Sequence, residues 1–274
     1  MGWVWQGGNG SMGEIWKRVG NYMNNQTELI LTREIAKGLT GTHVVIPEGY
    51  THIDWGAFYE RDDIERVTIP DSVLNITEKA FGECKGLTSI TIPDSVTYIG
   101  GGALLGCISL TCINLSNSLN QINSRTFWGC RSLTSITIPA GVKIIGKGSF
   151  NRCRSLTSII IPDSVIDIET EAFRGCVSLM DIVLPKGLTQ IKDALFFSCI
   201  NLRSVTIRDN VTQIGKDAFR DCVNLTNIVI PDSVEQIGDG AFVSCHKLED
   251  NRSIPDNAFQ RFQGYIERWR ENED

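Results

Sequence analysis

No run of roughly 18 or more apolar residues occurs in the 274-residue chain, so no membrane-inserting helix is expected. Histidine is scarce, with three copies, and no two cysteines stand at the Cys-x-x-Cys spacing that zinc sites favour. Positive charge is also short. The formal net charge is −6 and the sequence pI about 5.2, which argues against affinity of the whole protein for nucleic acid or an anionic membrane. Residues 1–26 lack a basic start, an apolar middle and a small-residue cleavage site, so the cytoplasm is the expected location. A cell-surface or secreted location is the expectation if the N-terminus is incomplete.

What the chain has in quantity is repetition. Leu87, Leu110, Leu133, Leu156, Leu179, Leu202, Leu225 and Leu248 follow one another at 23 residues without insertion or deletion, and Ile64 and Gly41 carry the register backwards. Within the unit, one slot holds isoleucine nine times, from Ile53 through Ile145 to Ile237. Another holds phenylalanine in every coil but one: Phe58, Phe81, Leu104, Phe127, Phe150, Phe173, Phe196, Phe219 and Phe242.

Each unit opens as Leu87-Thr88-Ser89-Ile90-Thr91-Ile92 does, with apolar residues at the first, fourth and sixth places and β-branched residues that favour a short strand. Proline then stops the ladder in most coils, as at Pro93 and Pro231, because it has no N–H to donate. Ser116 and Arg208 take its place in the other two. Asp-Ser pairs such as Asp94-Ser95 are expected to bond their own backbone and hold a turn. A helical stretch, typified by 217–222, is expected to complete the coil. One unit cannot bury its own Leu, Ile and Phe, so the coils must stack.

The pattern Leu-x-x-Ile-x-Ile-Pro-Asp-Ser-Val-x-x-Ile-Gly-x-x-Ala-Phe-x-x-Cys resembles the BspA-like, or Treponema pallidum type, leucine-rich repeat over roughly residues 41–248. That resemblance implies an α/β fold, a right-handed leucine-rich-repeat solenoid of about nine 23-residue coils. In members with a secretion signal it implies surface proteins that bind host or matrix proteins.

The expected organisation is a tail and capping helix over 1–40, the solenoid over 41–250 and a closing amphipathic helix over 251–274. Helical caps are expected because a solenoid leaves its end coils uncovered. Ile15, Trp16, Val19, Tyr22 and Met23 fall on one helical face, as do Phe259, Phe262, Ile266 and Trp269.

Eight of the nine cysteines share one slot, from Cys84 to Cys245, and read as a buried ladder; Arg61 takes the slot in the first coil. Cys112 stands apart at an outward strand position and is the one thiol expected to be accessible. With no histidine in reach of it, no catalytic, cofactor-binding or metal-ligating residue is assigned, and no cofactor is expected. The expected function is a non-enzymatic protein-binding scaffold, with an adhesin of the BspA-like type as the alternative and an enzyme third.

Two surface features point to a partner, namely another protein, and an acidic one if charge guides it. Between Gln121 and Ile160 lie six basic residues, Arg125, Arg131, Lys143, Lys147, Arg152 and Arg154, and no acidic one. Leu105 and Trp128 share an outward slot in adjacent coils, with Tyr59 further along it.

Overall fold

The computed structural model describes residues 28–249. The two amphipathic segments read as caps, around 15–23 and 259–269, lie outside the described residues. Coil 1 spans 41–63, and each later coil begins 23 residues on, so that coil 9 opens at Leu225. Together the coils form a parallel β-solenoid with three walls.

The first wall is built from strands of three residues, such as Ser135–Thr137 in coil 5 and Ser158–Ile160 in coil 6. Their middle residues, Ile136 and Ile159, are buried while both neighbours face outward, because side chains alternate across a strand. Pairing is parallel, and equivalent residues face one another, as Ser135 and Ser158 do. A slip of one residue would turn the isoleucines out to water.

The second wall uses two-residue strands such as Tyr98–Ile99 and Ile144–Ile145, each delivering one isoleucine of the nine-fold slot to the core. Between these walls the Pro93 carbonyl accepts from the Val96 N–H at 3.0 Å and closes the turn. The Asp-Ser pair does not serve its own backbone there. Ser95 Oγ donates to the Val73 carbonyl one coil back, at 2.8 Å, and Asp94 Oδ1 accepts from the Asn117 N–H one coil on, also at 2.8 Å. Because that turn is already closed by the backbone, the side chains are free to join coils.

The third wall, expected to be helical, is a run of turns. In coil 8 the N–H groups of Asp217, Phe219 and Asp221 reach the Asp239, Ala241 and Val243 carbonyls of the next coil at 3.0, 2.8 and 2.9 Å. Between them, the N–H groups of Arg220 and Cys222 close tight turns on Asp217 and Phe219. An α-helix would spend every N–H along its own axis, whereas a stacked coil needs some of them aimed sideways. The chain achieves this by placing two slots in the left-handed region: Asp217 at φ 53° and Asp221 at φ 61°. Other coils use glycine at the same slots, Gly240 for the first and Gly106 and Gly129 for the second, where the missing Cβ removes the steric cost. Among the described residues the only α-helices are two of four residues, Arg33–Ala36 and His246–Glu249.

Inside, the phenylalanines stack from Phe127 through Phe242 with ring centroids 5.2 to 5.6 Å apart and planes within 13°. Phe58 and Phe81 form a separate pair at 5.1 Å, and buried Leu104 fills the gap between the two stacks. Beside the rings, the cysteine Sγ atoms donate to carbonyls of the coil before: Cys84 to Phe58, Cys107 to Phe81, Cys176 to Phe150.

The stack begins before coil 1. Leu29–Leu31 pairs in parallel with Tyr50–Ile53, and the short helix Arg33–Ala36 follows it. Thr32 caps that helix by accepting from the Ile35 N–H. At its other end the carbonyls of Ala36 and Leu39 accept from Arg61 at 3.1 and 3.0 Å. Arg61 is held in turn by Asp63 through two contacts of 2.7 Å. Arginine replaces cysteine in this slot because there are two carbonyls to reach, which one short thiol cannot do.

The strand ladders are not continuous: the second wall parts between coils 3 and 4, and the long-strand wall between coils 4 and 5. Both strand walls are interrupted between coils 6 and 7, so Asp181–Val183 does not continue the ladder of Ser158–Ile160, nor Gln190–Ile191 that of Asp167–Ile168. The turn wall remains bonded there, with Phe173 N–H to the Leu195 carbonyl at 3.1 Å and Gly175 N–H to the Phe197 carbonyl at 2.7 Å. Two ion pairs also cross it, Lys186 to Asp163 and Lys192 to Asp167, each at 2.8 Å. Leu195, at this same junction, fills a slot that is alanine in coils 6 and 8.

Candidate interaction surface

The turn wall displays most of the residues singled out from sequence. Arg125, Lys147 and Arg152 stand on it and are exposed, while Arg131 and Arg154 sit at the corner that leads back to the long strands, equally exposed and in adjacent coils. None of these five takes part in an ion pair among the described residues. Leu105 and Trp128 are half-buried on the same wall. The two sequence features meet here: the Arg152 guanidinium lies 5.4 Å from the Trp128 ring centroid, a cation–π distance.

Two further members of this surface were not identified from the sequence. Arg174 lies 4.2 Å from the Phe197 ring centroid and continues the slot of Trp128 into coils 6 and 7. Reading that slot in order (Tyr59, Gly82, Leu105, Trp128, Asn151, Arg174, Phe197) would have found them. Gly82 is glycine for a local reason. A Cβ there would come within 2.9 Å of the Tyr59 ring and 3.2 Å of Leu105, so its absence lets the two side chains close over it. Glu83, in coil 2, folds its carboxylate over Gly106, where a Cβ would collide with it.

The long-strand wall is less uniformly polar than its Ser and Thr content implies. Ile160, Val183 and Val229 are 65%, 57% and 62% exposed. Where the strands part between coils 6 and 7, a shallow cleft of about 310 Å³ opens between 158–161 and 181–184. Those aliphatics occupy the slot of Thr91 and Thr137, and that departure was the available signal.

Cys112 is exposed on this wall, in register with Ser89. Its nearest candidate base in sequence terms, His43, is three coils away, about 14 Å by strand spacing, and bonds Thr68 Oγ1 at 2.9 Å. His52 is engaged by Thr51 and Asn75, at 2.9 Å each. Burial pushes the ladder thiols well above the ordinary thiol range, to about 12 for Cys130 and Cys176, which removes the thiolate that cysteine chemistry requires. Among the described residues no group of three His, Cys, Asp or Glu side chains is placed to hold a metal ion, and no helix is long and apolar enough to cross a membrane.

A parallel stack of 23-residue coils that turns isoleucine inward in every coil and phenylalanine and leucine in most, with its charges displayed on the outer walls, defines a leucine-rich-repeat solenoid. The BspA type leucine rich repeat region matches residues 37–155 and 143–265 in six copies. The chain therefore belongs to the BspA type leucine-rich-repeat family. Among solved structures it is similar to a leucine rich repeat protein from T. pallidum, at 29% identity over 89% of this chain and 90% of that one, with a TM-score of 0.57. A leucine-rich repeat protein from Bacteroides ovatus is 25% identical over 76% and 77% of the two chains, with a TM-score of 0.49. No curated protein matches the sequence.

Proposed function

We propose that this protein is a non-enzymatic scaffold that binds another protein through its turn wall, the partner presenting acidic side chains. One observation carries this reading. Exposed Arg125, Arg131, Lys147, Arg152 and Arg154 cluster on coils 4 and 5 without ion-pair partners among the described residues, beside the half-exposed Leu105 and Trp128. Arginine and tryptophan are the residue types in which interface energy concentrates, and the surrounding cations would steer an acidic partner toward them. Location is part of the same proposal: a ladder of eight thiols that each donate a hydrogen bond fits a reducing compartment, the cytoplasm.

The test is a pull-down from native extract with wild type and the double variant Arg131→Glu/Arg154→Glu. Both residues lie outside the core, so the melting curve should not change. Capture of the partner should fall at least several-fold in the variant, and in wild type it should weaken with salt over the range in which the Debye length drops below ~10 Å. Equal capture by both proteins removes this patch as the binding surface.

A further inference from the structure

We propose that the turn wall of coils 1–6 is a self-complementary interface on which two copies of this chain pair antiparallel, coil 3 of one meeting coil 4 of the other. This rests on the reading of the wall as a binding surface and names an occupant for it, a second copy. The argument is geometric. A two-fold axis lying across the wall between coils 3 and 4 reverses the coil order but keeps each repeat slot in line. Coil 2 then faces coil 5, coil 1 faces coil 6, and every side chain meets the residue of its own slot in the opposite coil.

That operation brings together groups that attract. Glu83 shares its slot with Arg152, and Glu78 shares its slot with Lys147. All four are exposed or half-exposed, and none forms an ion pair among the described residues. Tyr59 would face Arg174 in cation–π geometry, and Leu105 would face Trp128 beside the axis. On the axis itself Gly106 and Gly129 face each other, with the Glu83 carboxylate folded over Gly106 and the Arg152 guanidinium leaning back over Trp128, so the two charged ends lie close to the axis.

Registers on either side lose this match. With the axis on coil 3, Glu83 faces Gly129 and Glu78 faces Ser124; with it on coil 4, Glu83 faces Gly175 and Glu78 faces Thr170. Both charge pairs vanish in either case. Two like-charge meetings fall at the corners of the wall, Lys85 against Arg154 and Asp54 against Glu169; Lys85 is already paired to Asp62 at 3.5 Å, and the Glu169 carboxylate already accepts from the Lys147 N–H at 2.8 Å.

Sedimentation velocity over a concentration series tests the pairing directly. The wild-type protein should shift from monomer toward dimer as concentration rises at low salt, and return to monomer in about 0.5 M salt, where screening reaches a few ångströms. Glu83→Arg and Arg152→Glu should each remain monomeric, because each places like charges on both sides of the axis. Mixed in equal amounts, the two variants should dimerise again, since both cross-pairs are then of opposite sign. Matching melting curves would confirm that the variants fold. A wild type that stays monomeric throughout, a single variant that dimerises normally, or a mixture that fails to recover overturns the proposal. A wild type that never self-associates yet still captures another protein through Arg131 and Arg154 would sink this inference and leave the scaffold reading standing.

Discussion

The Sγ of Cys153 donates to the carbonyl oxygen of Phe127 at 3.1 Å, across the boundary between two coils. The same bond recurs in coil after coil, with Cys199 reaching Phe173 and Cys222 reaching Phe196. A serine of similar length could make it too, but the thiol is less costly to bury should the bond lengthen.

Thiol reactivity follows from that arrangement. In the native protein a maleimide should label Cys112 rapidly and the eight ladder cysteines only on the timescale of unfolding. Mass spectrometry after brief labelling should count one adduct, and nine once the protein is denatured. Fast native labelling at Cys130 or Cys176 would contradict the buried ladder.

Stability at alkaline pH is the second consequence. Burial raises the Cys130, Cys176 and Cys222 thiols from an ordinary 9.0 to about 12. Below pH 9 the thiols are protonated folded or unfolded, and their contribution is intact. Between 9 and about 12 only the unfolded chain ionises, so stability is lost as pH rises. Each ladder thiol should cost on the order of 1 kcal/mol per pH unit in that window, enough together to unfold the protein before any buried thiol ionises in place. Urea midpoints should fall steeply from pH 9 to 10.5. They should fall less steeply in Cys153→Ala/Cys176→Ala, where two titrating groups are gone. Equal slopes would mean that the thiols do not govern the transition.

The phenylalanine stack supplies a third expectation. Phe173 is fully buried, with Phe150 and Phe196 rings 5.6 Å away on either side. Phe173→Ala should therefore cost about 3–5 kcal/mol, the loss seen when a large core side chain leaves a cavity. Urea melts of the two proteins measure it directly. A difference below about 1 kcal/mol would be incompatible with a stacked ring at this place.

Much of this architecture was legible because periodicity is written in the side chains themselves. Ile90, Ile92, Ile99 and Leu104 all face inward where their slots predict, since one buried slot repeated at a fixed interval leaves a single register that buries them all. The turn wall was misread because a stretch such as 217–222 carries good helix formers, and local propensity says nothing of a neighbouring coil that competes for the N–H groups. The glycines held the missing clue: Gly102, Gly148 and Gly240 alternate with Lys79, Arg125 and Asp217 at a position of positive φ, which no helix interior tolerates. As for the surface, charge asymmetry located Arg125, Arg152 and their neighbours. The contact of Arg152 with Trp128 was hidden because the two belong to adjacent slots of successive coils, a relation visible only once the coils are stacked.

The parting of the strands between coils 6 and 7 bears on how the molecule comes undone. In a stack where each unit touches only its neighbours, total stability is a sum of single-unit and nearest-neighbour terms, and the junction with two of its three walls unzipped contributes the smallest neighbour term. The chain is thereby divided into a block of six coils and a block of three, joined by the turn wall and two lysine–aspartate pairs. Exposed ion pairs add at most about 1 kcal/mol each, so the three C-terminal coils form the unit that opens first. Amide exchange should show a step in protection at residue 179 rather than a smooth gradient toward the end.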